Sequence, residues 1–162
     1  MERLWAPWRL TYLEGPKDDD GACVFCTKPE LSDEDALIVH RGEHCYVVLN
    51  LYPYTNGHLM VLPYRHVATP GELDGAERTE LWELLDHSLG ALSAALSAQG
   101  HNVGLNLGAA AGAGIADHLH LHVVPRWRGD VNFMPALADV RVMPQLLEET
   151  RLALVAGWPA QG

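Results

Sequence analysis

Three histidines, His118, His120 and His122, alternate with Leu119, Leu121 and Val123. Side chains in an extended strand alternate between its two faces. The spacing therefore places the three imidazoles on one face and sends the aliphatic residues into a core. An imidazole can attack an electrophile, donate a proton or bind a metal. A polar face that merely carries histidines is the plainer account, but three in a row bring no packing advantage. Just upstream, Gly108 to Gly114 is a run of glycine and alanine. Small residues expose backbone N–H groups and let a phosphate come close, although alone such a run is an ordinary loop. A second group is Cys23-Val-Phe-Cys26, the spacing of half a zinc site. No second pair follows, so a zinc ribbon is excluded, and two unligated thiols at a loop end remain the alternative.

The elements that must hold these residues are legible in outline. Ala36–Val39 and Cys45–Leu49 read as strands around a turn at 41–43. Residues 51–57, with Pro53, Asn56 and Gly57, form a loop, and His58–Leu62 a buried strand ended by Pro63. Leucines at 81, 84, 85, 89, 92 and 96 recur at helical spacing, predicting one long helix over Ala76–Gln99. Asp74 and Glu77 form a capping box, and Gly100 stands where a C-terminal cap belongs. Asn102–Leu107 and His118–Val124, stopped by Pro125, are further strands, and Gln145–Val155 is a final helix. Strands, one long helix, then more strands predict an α+β fold with an antiparallel sheet. Cys45 is expected as a small buried hydrophobe, and His40, His44, His87 and His101 as surface or loop residues.

The chain has 162 residues, 48% apolar and 20% charged, which predicts a single domain over 1–162 and excludes disorder. An arm at 1–20 with Trp5, Trp8 and Tyr12 is expected to pack on that domain. There is no bilayer-length apolar run and no visible secretory signal. A net charge of -10 argues against nucleic-acid or membrane-surface partners. Three cysteines without a signal predict thiols in a reducing compartment, hence a cytoplasmic setting.

The run His118 to Val124 resembles the histidine-triad (HIT) family pattern of His-φ-His-φ-His-φ-φ. Gly57-His58 followed by Leu59-Met-Val-Leu-Pro63 is similar to the family's Gly-His strand, and Asn50 stands eight positions before His58. Arg3 to Arg9, the cysteine pair and Pro125-Arg-Trp127 resemble a prokaryotic branch of diadenosine polyphosphate phosphorylases and hydrolases. The resemblance implies nucleotidyl transfer at an α-phosphate, with His120 as nucleophile and His122 assisting the leaving group. It implies nucleotide contacts from Asn50 (ribose), His58, Asn106 and the backbone of Ala113, Gly114 and Ile115. Here the loop lacks the Gln, Ser or Thr of many members. It implies a structural zinc held by Cys23, Cys26, His66 and His118, no organic cofactor, a purine nucleotide or dinucleoside polyphosphate as ligand, and a homodimer. Two rivals stand beside it: a hydrolase whose three histidines hold a catalytic metal, and a nucleotide-binding module without turnover.

Overall fold

The computed structural model describes residues 22–130 and 145–160. The arm at 1–20 lies outside them. Five strands make one antiparallel sheet: β1 (Ile38–Arg41), β2 (Cys45–Leu49), β3 (Leu59–Pro63), β4 (Gly100–Leu105) and β5 (Leu121–Arg126). Their spatial order is β1-β2-β3-β5-β4, so the β5 histidine run enters between a buried strand and an outer one. Helix α1 (Val24–Thr27) holds Cys26 and is preceded by Cys23 at its N-cap, and α2 (Asp33–Ala36) leads into β1. The long helix α3 (Gly75–Leu96) and the last helix α4 (Leu147–Ala156) pack together on one face of the sheet.

Alternation along the strands divides the core in two. Val47, Leu49, Leu59, Val61, Leu121 and Val123 meet Leu81, Leu84, Leu85 and Leu92 of α3. Tyr46, Val48, Met60 and Leu62 point the other way, against Phe25 and Ala36. His122 pairs with Met60 and so lies on that second face. Burying aliphatic side chains at about 1.5–3 kcal/mol each fixes this register, because a slip by one residue would exchange the faces.

The expected long helix forms, and its start is the capping box: Asp74 accepts from Glu77 N–H and Glu77 accepts from Asp74 N–H, both at 2.9 Å. Its end differs from expectation. Ser97, at φ 52°, takes the left-handed position and caps on Leu92, while Gly100 already begins β4. Pro125 also fails to stop its strand, which runs to Arg126. The β3 ladder ends at Val123, and the Pro125 carbonyl faces that open side, where it accepts from Thr55 Oγ1 at 3.1 Å. The missing N–H points the same way and costs no ladder bond. Gly57 has φ 80°, a conformation that favours glycine, and a Cβ there would lie 2.5 Å from Leu96 Cδ1, a methyl that would have to move aside.

Candidate active site

His118 and His120 precede the paired part of β5 and are buried, with relative exposures of 1% and 6%. Main-chain carbonyls fix both rings. His120 Nδ1 lies 2.7 Å from the carbonyl of His118. A carbonyl only accepts, so Nδ1 carries the proton and Nε2 keeps its lone pair. His118 Nε2 lies 2.9 Å from the Pro63 carbonyl, which leaves the His118 Nδ1 lone pair free to bind. The backbone here is tied down by Leu119 N–H donating to the Val67 carbonyl at 2.6 Å. Burial holds both imidazoles below their usual pKa, and so neutral at pH 7.

His118 Nδ1 turns toward the cysteine helix. It lies 3.4 Å from Cys23 Sγ and 3.5 Å from Cys26 Sγ, and Cys26 Sγ is 3.3 Å from His66 Nδ1. All four ligand atoms lie within 4.8 Å of one another. A tetrahedral ion with M–S near 2.3 Å and M–N near 2.05 Å would set S···N edges of about 3.6 Å. The donor set therefore fits a closed four-coordinate metal. Burial, then the neighbouring Cys23, raises the Cys26 thiol to about 11. Phe25, between the cysteines, packs its ring 5.6 Å from that of His118 and 5.2 Å from that of His120.

The other end of the row has different partners. His122 Nδ1 is 3.0 Å from His58 Nε2, and His122 Nε2 is 3.3 Å from Asn106 Nδ2. His58 is fully buried, and its Nδ1 accepts the Tyr54 backbone N–H at 3.1 Å. Asn50 Nδ2 lies 3.4 Å from the same nitrogen, and Asn50 Oδ1 accepts from Tyr52 N–H at 3.0 Å. With Nδ1 an acceptor, His58 must donate from Nε2, so His122 accepts at Nδ1 and carries its proton on Nε2; an amide nitrogen cannot accept that proton, so Asn106 meets it only with its amide turned to present Oδ1. Burial, then His122 and His120, holds His58 down to about 3. The His120 and His122 rings are 4.9 Å apart, nearly perpendicular.

The structure thus brings His58, Asn106, His120 and His122 into one group, reaches Asn50 through His58, and gathers Cys23, Cys26, His66 and His118 in another. Ala113 is buried, Gly114 is exposed, and Ile115 packs against the core cluster of Met60, on the face that carries His122. The three triad rings do not converge on one point. His118 Nδ1 faces the thiols and His122 Nδ1 faces His58, which argues against a single three-histidine metal centre. The bond from His58 to His122 was not foreseen, because it joins residues 64 positions apart. His40, His87 and His101 are not loop residues: they lie half-buried on β1, α3 and β4. Cys45 is buried as expected.

Comparison with known proteins gives the family and the fold. A family model described as HIT domain matches residues 32–129. The AP-4-A phosphorylase of Mycobacterium tuberculosis is 45% identical over 168 aligned positions, covering 99% of this chain and 86% of that protein. Among solved structures, a hypothetical histidine triad nucleotide-binding protein of Sulfolobus tokodaii superposes with a TM-score of 0.67 at 26% identity, over 83% of this chain and 91% of that one. A Zn-bound histidine triad family protein of Mycobacterium smegmatis gives 0.66 at 27% identity, over 84% and 92%.

Proposed function

The chain belongs to the HIT domain family, and from that premise we propose that it transfers a nucleotidyl group from a dinucleoside polyphosphate through a covalent bond to His120. The observation that carries this is the His120 ring, whose Nδ1 proton is held by the His118 carbonyl at 2.7 Å while Nε2 keeps its lone pair. That lone pair attacks the α-phosphorus of the substrate, and the bond from phosphorus to the bridging oxygen breaks. The electron pair leaves with that oxygen, which accepts a hydrogen bond from His122 Nε2–H. The His58 bond at 3.0 Å keeps that proton on the outward nitrogen of His122. A second nucleophile then attacks the nucleotidyl-histidine and returns His120 to its starting state. Dividing one displacement into two lowers the barrier to each.

The backbone of Ala113, Gly114 and Ile115 supplies N–H groups for the phosphate oxygens, with no side-chain donor from those three residues. Asn50 keeps one amide proton and one carbonyl lone pair for a ribose beyond its two bonds within the protein. Asn106, with its amide turned so that Oδ1 faces His122 Nε2, accepts from the proton-bearing side of His122. Cys23, Cys26, His66 and His118 hold a structural zinc, which supplies rigidity at the His118 end rather than reacting chemistry. The same reading takes residues 1–162 as one domain, with a homodimer in a reducing, cytoplasmic setting. The three free cysteines suit such a compartment, and no helix among the described residues is long and apolar enough to cross a membrane.

The likeness to an AP-4-A phosphorylase favours phosphate over water as the second nucleophile. Diadenosine tetraphosphate with inorganic phosphate is then converted to ADP and ATP. Product analysis with and without phosphate tests this. ADP that depends on added phosphate supports phosphorolysis, and AMP formed equally well without it overturns it.

A further inference from the structure

Between β2 and β3 the chain passes over the His58–His122 pair, and one residue of that loop lies outside every motif in the sequence. Tyr54 places its ring 4.6 Å from that of His58 and 6.0 Å from that of His122, inclined by 35° and 28°. The two histidine rings are 5.1 Å apart, so the three form a single stack of neighbours. His58 is fully buried, whereas Tyr54 is half-buried and makes the outer layer. The same residue acts twice, since its backbone N–H sets the acceptor nitrogen of His58 at 3.1 Å. Were His58 to switch tautomers, its Nδ1 proton would meet that N–H head-on and its Nε2 could no longer donate to His122. Water reaching the ring would ease that switch and let His58 take up a proton.

We propose that Tyr54 is a positioning residue, whose ring seals the His58–His122 pair from water so that His122 presents its proton on the outward nitrogen. This rests on His122 acting as the hydrogen-bond donor to the leaving oxygen. The titratable groups that bear on His58 are His122 and His120, both from the histidine run, and the Tyr54 phenol from its own loop. Burial is the larger influence on His58, and burial is what the tyrosine ring would supply.

The test compares Tyr54→Phe, Tyr54→Ala and His120→Ala by two readouts. One is the pH profile of kcat/KM on diadenosine tetraphosphate. The other is the 15N chemical shifts of the imidazoles in the unliganded protein, which report tautomers without any turnover. Tyr54→Phe should restore both to wild-type behaviour. Tyr54→Ala should lose roughly tenfold or more in kcat with little change in KM. Its acid limb should move up toward the ordinary histidine range, and its His58 signals should average between tautomers. Unchanged tautomers and an unchanged profile in Tyr54→Ala overturn the proposal, even if the variant is slower. So does a Tyr54→Phe variant that is as impaired as Tyr54→Ala. If Tyr54→Ala does not fold, Tyr54→Leu makes the same comparison. Wild-type turnover by His120→Ala would instead sink the nucleophile assignment, and leaves the tautomer result to be judged separately.

Discussion

The sheet carries histidines on both faces, and the two sets differ in what their nitrogens touch. On one face, His58, His118, His120 and His122 hold one another, two carbonyls and a backbone N–H. On the helix-covered face, His40 stacks on Trp158 with centroids 4.8 Å apart, and His87 meets the same indole edge-on at 6.1 Å. There His87 Nδ1, His101 Nε2 and Trp158 Nε1 are buried with no hydrogen-bond partner among the described residues. The first set is specified proton by proton, and the second is packed mainly as aromatic bulk. An imidazole becomes a reagent when its tautomer is dictated, and burial alone does not do that.

The sharpest break in this contrast is His120→Ala, expected to lower turnover by at least roughly a thousandfold. Acid-quenched single turnovers with labelled substrate should then show no nucleotide on the protein, where the wild type shows it transiently. Next, His122→Ala should lower kcat roughly 10²–10⁴-fold on diadenosine tetraphosphate. The defect should shrink markedly on an AMP ester of a phenol acidic enough to leave unprotonated. An equal defect on both substrates would deny His122 its proton.

Cys26→Ala should cost about 2 kcal/mol and lower Tm by roughly 4–8 °C, with loss of bound zinc by elemental analysis. Retained zinc would break the four-ligand assignment. The pH dependence of stability sharpens the contrast further. His58, His118 and His120 have folded pKa values below the unfolded value of about 6.5. Their contribution is therefore complete above about 6.5 and lost as pH falls toward the folded values, about 3 for His58. Denaturant midpoints should drop between pH 6.5 and 4, and less so in His58→Phe. The smallest effect belongs to the other face. His87→Leu should change stability by less than about 1 kcal/mol, with turnover unchanged, because no hydrogen bond to its Nδ1 is lost.

Local rules made much of this molecule legible. Alternation separated the triad histidines from Leu119, Leu121 and Val123, and the leucine spacing with Asp74 and Glu77 located the long helix. The misses are places where a distant contact outweighs a local preference. Ser97 accepts a left-handed conformation because Leu92 offers a carbonyl, which left Gly100 free to start a strand. Pro125 sits within a strand because its neighbour on that side has already ended. Tyr54 carried no signal at all, since an aromatic residue in a Pro- and Gly-containing loop looks like surface. The resemblance to a family named Cys23, Cys26, His66 and His118 together, and pairwise spacing would not have joined His66 to them.

Gly57 lies between the loop bearing Tyr54 and the strand that begins beside His58. The volume its absent side chain would need is filled by a methyl of Leu96, on the last turn of the long helix. That contact makes the helix terminus a doorstop for the loop. Trimming Leu96 to alanine should therefore slacken the entrance to the reacting group from the far side of the sheet, without altering any residue that meets a nucleotide.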